Sequence, residues 1–142
     1  MKKISYVLVA DGGRAKILQS DGHLKDFAVI YEQVNFRGRQ SRSDIDSDRA
    51  GMQHSGGGGF HSYAGDNDSH RHETEEFARE LCKILQTARQ AGKFDSLIIA
   101  APPHFLGNLR QHLSQDCQNC LVKSLDKDLV QASVAELAEH LA

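Results

Sequence analysis

Ile4-Ser-Tyr-Val-Leu-Val-Ala10, Asp11-Gly12-Gly13, Arg14-Ala-Lys-Ile-Leu-Gln19: the reading of this opening stretch decides the fold. Ile4 to Ala10 is rich in β-branched and apolar side chains, as a largely buried strand requires. Asp11-Gly12-Gly13 then makes a tight hairpin connection into a second strand, Arg14 to Gln19. On the amino-terminal side, Met1-Lys2-Lys3 followed by an apolar run resembles a leader. The run contains Ser5 and Tyr6 and ends directly in the glycine turn, so a first strand explains it better.

Further along, Asp21-Gly22 marks another turn, and Leu24 to Val34 predicts a third strand with Phe27, Val29 and Tyr31 on one face. From about Asn35 to Ser69 the chain has neither helical nor strand periodicity, and it includes Gly56-Gly57-Gly58-Gly59. Loops of that length inside a small domain are uncommon and usually functional or disordered. Next, Phe77, Leu81, Ile84, Leu85 and Ala88 form a helical stripe, with Asp68 or Ser69 as cap, acids Glu73, Glu75 and Glu76 near the start, and Gly92 at the end. Phe94 to Ala101 is a nearly continuous apolar run, predicting a strand buried on both faces and stopped by Pro102-Pro103. A second helix carries Phe105, Leu106, Leu109 and Leu113; Cys120 to Leu125 is a short strand; and a last helix holds Val134, Leu137 and Leu141 behind a Ser133/Glu136 capping box. The order β-β-β-loop-α-β-α-β-α predicts an α/β protein with a mixed five-stranded sheet of the ribonuclease H-like arrangement. That arrangement is shared by nucleases, actin-type ATPases and the middle domain of class I release factors.

A chain of 142 residues is one domain by length, 1–142, and supports a core without disulfide or metal staples. A net charge of −2 gives no whole-chain footprint for nucleic acid, so any such footprint must be local. Cys82, Cys117 and Cys120 are odd in number, against a secreted disulfide framework. No apolar run approaches the ~18 residues of a transmembrane helix. The expectation is a cytoplasmic protein with no membrane partner and no cofactor.

Several constellations invite chemistry. Asp11 stands where a ribonuclease H-like nuclease keeps a metal-binding carboxylate, but the fourth strand ends in Ala100-Ala101-Pro102-Pro103 without a second acid. Asp11 therefore reads as a turn residue. The same Asp-Gly-Gly is also shared with the phosphate loop of actin-type ATPases, which enclose their nucleotide between two such domains. Asp44, Asp46 and Asp48 alternate like a calcium loop, yet Arg49 and Ser55 occupy positions needing glycine and glutamate. Cys117 and Cys120 form a C-x-x-C pair that falls near a helix end, where the dipole disfavours thiolate, and no second pair completes a zinc site. His70 and His72 open the long helix on different faces, a poor chelate. The loop is the strongest candidate: Arg37, Arg39, Arg42 and Arg49 suit phosphate, and the glycine run presents bare backbone.

Taken together, the chain resembles the bacterial host attachment proteins. The matching pieces are Tyr6 to Asp11 with Ala15 and Ile17, Ser47-Asp48-Arg49 with Gly51, and the glycine cluster. They continue with His72 and Glu76-Phe77-Ala78, Ala101-Pro102-Pro103 with Leu106-Gly107 and Leu109-Arg110, and Lys127-Asp128-Leu129. That family is similar to the middle domain of archaeal and eukaryotic class I release factors, whose Gly-Gly-Gln loop enters the peptidyl-transferase centre. The resemblance implies a ribosome- or tRNA-associated factor, with Gly57, Gly58, Gly59 and His61 at a catalytic tip acting on peptidyl-tRNA and Arg37, Arg39, Arg42 and Arg49 on RNA. Here the glycines continue into Phe60 and His61, not glutamine, leaving backbone N–H donors. The alternatives are a non-enzymatic attachment or surface-assembly factor, suggested by the family's name, and a metal-dependent hydrolase using loop histidines and aspartates.

Overall fold

The computed structural model describes residues 3–21, 26–35 and 58–141, with side chains in the long helix described from residue 71 onward. Strands β1 (Ser5–Asp11), β2 (Arg14–Ser20) and β3 (Ala28–Val34) form the expected meander. Helix α1 (Gly58–Gln90) leads to β4 (Ser96–Ala100), then α2 (Pro103–His112), the short α3 (Gln115–Cys120), β5 (Leu121–Leu125) and α4 (Val134–Leu141). The strands make one five-stranded sheet in the order β3-β2-β1-β4-β5. β1 pairs antiparallel with β2 and parallel with β4, while β5 extends the parallel half. The mixed sheet agrees with the sequence reading, and so does the element order apart from the additional short helix α3.

Period-two alternation divides the core between the two faces of the sheet. Tyr6, Leu8, Ala10, Ile17, Leu97 and Ile99 face α1, α2 and α3, meeting Phe77, Leu81, Leu85 and Leu109. Val7, Val9, Leu18, Ile98 and Ala100 face the other way, under Leu129, Leu137 and Leu141. β1 and β4 are thus buried on both sides, which is why their sequences read as unbroken apolar runs. At the lower rim Tyr6 stacks on Phe94 with ring centroids 4.6 Å apart. The capping box forms as expected, with Ser133 N–H donating to Glu136 Oε1 and Glu136 N–H to Ser133 Oγ, both at 3.2 Å. Gly92 adopts φ +71 and closes α1, with Lys93 N–H reaching Ala88 O and Gly92 N–H reaching Arg89 O.

Three local expectations are corrected. α1 begins at Gly58, not near Asp68 or Ser69, so Glu73, Glu75 and Glu76 lie well inside it and its first turn holds no acid. Once a buried stripe nucleates a helix, each further residue adds a hydrogen bond without repeating the nucleation cost, so poor helix formers can be recruited. Next, Phe27, Val29 and Tyr31 do not share a face. Tyr31 opposes Ile17 but Val29 opposes Leu18, so Ile30 is an extra, bulged residue. The bulge puts Phe27 against one core layer and Tyr31 against the other, and leaves Val29 and Ile30 exposed on an edge strand. Finally, Cys117 sits at the start of a helix. The chain becomes extended at Leu113, and Ser114 caps a new helix by accepting from Cys117 N–H.

Candidate functional site

β1, β3, β4 and β5 run in the same direction, so their carboxyl ends share one edge of the sheet. Asp11 ends β1 there. Its Oδ1 accepts from Gly13 N–H at 2.7 Å and Arg14 N–H at 2.8 Å, fixing the two-residue turn. The carboxylate is thus engaged with its own turn, as the turn reading expects. Asn35, just beyond β3, is fastened to the same turn: its N–H donates to Gly13 O at 3.0 Å and its Nδ2 to Gly12 O at 3.1 Å.

The turn in turn abuts α1. A Cβ on Gly12 would stand 2.7 Å from Thr74 Cγ2. Among the described residues only Gly92 has positive φ, so Gly12 is required here by space, not by an unusual backbone conformation. α1 descends from this edge toward β4, which makes Thr74 a level mark. The part of α1 from Gly58 to Glu73, ahead of that mark, is roughly 24 Å long at ~1.5 Å per residue.

Between Asn35 and α1 lies a cleft of about 70 Å³ lined by Asn35, His72, Glu73, Glu76, Phe77 and Glu80. That is well short of the ~300–1,000 Å³ of pockets for drug-sized ligands. Gln33 Nε2 donates to Glu80 Oε2 at 3.4 Å, and the Tyr31 hydroxyl donates to Gln33 Oε1. Burial, and secondarily the Glu80 charge, raise the Tyr31 pKa above its ordinary value. A turn along, Glu75 receives His112 of α2 at 3.2 Å and Arg79 at 3.8 Å, tying α2 to α1. This foot is carboxylate-rich, so it does not itself offer phosphate a cationic seat.

Gly57, Arg37, Arg39, Arg42 and Arg49 lie outside the described residues, as do Asp44, Asp46 and Asp48. Gly58, Gly59 and His61 are placed by their backbone in the first turn of α1, and His70 is likewise interior to that helix rather than at its entry. His72 is exposed and borders the cleft. Residue patterns did not single out Asn35 or Thr74, because both act through tertiary contacts with a turn far away in sequence.

Cys82, Cys117 and Cys120 are free and buried. Burial, with Cys117 nearby, pushes the Cys82 thiol up to about 12, and burial likewise raises Cys117 and Cys120, outweighing the Arg89 charge near both and the Ser114 hydrogen bond at Cys117. Cys82 and Cys120 donate to the carbonyls of Leu109 and Cys117 at 3.3 Å, as packed structural thiols do. A thiol-reactive dye at pH 8 is therefore expected to leave all three unlabelled in the folded protein and to label all three in denaturant. Stoichiometric labelling of native protein would contradict this account. Among the described residues no three His, Cys, Asp or Glu side chains converge as a ligand set, so the metal-dependent hydrolase alternative would have to draw on residues outside them.

A mixed sheet in this order, crossed by one long helix, defines a release-factor-like domain of the ribonuclease H-like class. It superposes on the archaeal translation termination factor aRF1 with a TM-score of 0.52 at 10% identity, over 96% of this chain and 37% of that one. The chain belongs to the family described as "Protein required for attachment to host cells", which matches residues 6–141. An uncharacterized protein of Rickettsia prowazekii (strain Madrid E) is 43% identical over 65 residues, 44% of this chain and 43% of that protein. This chain thus spans less than half the length of each of these two compared proteins. Among the described residues no helix is long and apolar enough to cross a membrane.

Proposed function

We propose that this protein is a ribosome- or RNA-associated factor whose segment from Arg37 to His61 meets RNA, with Arg37, Arg39, Arg42 and Arg49 on phosphate. The observation that carries this reading is that α1, held at Thr74 against the turn on the edge where four strands end, continues from there back to Gly58. The fold shared with an archaeal termination factor supports it. The first four amides of an α-helix lack intrahelical acceptors, so Gly58, Gly59, Phe60 and His61 bring backbone donors to that end. Such donors, with Gly57 before them, suit the acceptor oxygens of a tRNA terminus, and hydrolysis of peptidyl-tRNA is the activity they would serve.

Co-sedimentation with ribosomes tests this. Native protein is expected in the ribosomal pellet at low salt, less so at moderate salt, and a variant lacking residues 36–57 is expected in the supernatant at both. Equal pelleting of the two proteins at both salts removes the proposal. The family description favours a second reading, a non-enzymatic attachment or surface-assembly factor. That reading requires protein outside the cytoplasm, and cell fractionation distinguishes it from the first.

A further inference from the structure

α2 is a ten-residue helix whose inner face, Phe105, Leu106 and Leu109, is buried against α1. Its outer face is centred on Gly107, which is exposed. A glycine inside a helix destabilises it relative to alanine. Nothing within the molecule requires this one: its φ is not left-handed, and a Cβ there would meet no atom within 4 Å. The outcome is a stretch of helix backbone open to close approach from outside.

Around this bare position the exposed side chains include one fixed cation, Arg110, and no acid. His104 and Arg110 stand three residues to either side and Gln111 four beyond, on the same face and all exposed. α2 contains no acid, nor does the neighbouring edge strand β5. One Nη of Arg110 donates to Ser124 Oγ on β5, which orients the guanidinium and leaves its other N–H groups to the solvent. His112, by contrast, is engaged with Glu75 and does not belong to this surface. Beyond β5 the chain carries the exposed acids Asp126 and Asp128 with Lys127 between them.

We propose that this outer face of α2 docks the sugar-phosphate backbone of an RNA strand, with Arg110 on a phosphate and Gly107 as the point of closest approach. The inference rests on the reading of the protein as RNA-associated and adds to it a second contact on the described core. Oriented guanidinium donors match phosphate oxygens bidentately, and an uncluttered helix surface lets a stiff backbone lie within their reach.

The test is fluorescence anisotropy of the full chain with a labelled single-stranded RNA oligonucleotide, and separately with labelled poly-glutamate, across a salt series. Arg110→Gln is expected to weaken RNA binding about fivefold and to lower the salt slope by about one. Gly107→Gln is expected to weaken it comparably while its melting temperature stays level or rises, which separates obstruction from misfolding. RNA affinity unchanged in both variants overturns the proposal. So does poly-glutamate bound as tightly as RNA with the same variant pattern, which would make the occupant an acidic protein. Loss of RNA binding on deleting residues 36–57, with both α2 variants intact, sinks this inference and leaves the loop reading standing; the converse pattern does the reverse.

Discussion

Phe77→Ala is expected to lower the unfolding free energy by about 3–5 kcal/mol, the usual range for removing a buried phenyl ring. Phe77 is 2% exposed and lies where α1 crosses the sheet, with the Phe105 ring of α2 tilted against it at a centroid distance of 6.0 Å. The void would open between two helices already linked by the Glu75–His112 contact, so collapse around it is restricted. Phe77 also forms part of the cleft wall beside Asn35. Urea denaturation should show a reduced midpoint at unchanged slope. A loss under about 1 kcal/mol would mean that α1 packs on the sheet differently from the arrangement described.

Gly12→Ala is the second large effect. The added methyl would stand 2.7 Å from Thr74 Cγ2, so either the turn or the helix must give way. Overpacking of this kind costs about 1–3 kcal/mol. Thr74→Ser removes only the offending methyl and keeps the hydroxyl that donates to Arg71 O at 2.9 Å. The double variant should therefore recover most of the loss. Additive effects in that double-mutant cycle would disprove the contact as the cause. Because Asn35 is fastened to the same turn, Gly12→Ala should also speed amide exchange at Asn35, readable by NMR.

How much of this was legible in the residues differs from element to element. The doubly buried strands announced themselves, because apolar runs such as Leu97-Ile-Ile-Ala100 satisfy both faces at once. The capping box and Gly92 were legible for the same reason: each acts within a few residues of itself. The bulge at Ile30 was not, because Val29, Ile30 and Tyr31 suit a strand in either register and only pairing with β2 reveals the extra residue. The break at Leu113-Ser114 was hidden by a stripe that runs on through Leu113. Gly12 looked like an ordinary turn glycine, yet its reason lies 62 residues away at Thr74, a contact no local pattern encodes. Of the candidate site, the glycines and arginines stood out by composition, whereas Asn35 and the α1 carboxylates are joined only by the folded chain.

The parallel seam between β1 and β4 has a kinetic consequence. Ile4 N–H meets the Asp95 carboxylate across 91 positions of sequence, so this seam is among the most non-local contacts in the molecule. The β1–β2 hairpin can zip within microseconds, but pairing across so wide a separation must first overcome the entropy of closing the intervening chain. As a ribosome makes the protein, one flank of the doubly buried β1 waits open until Ala100 has emerged. That interval is when the nascent chain is most exposed to wrong partners and most in need of chaperone cover.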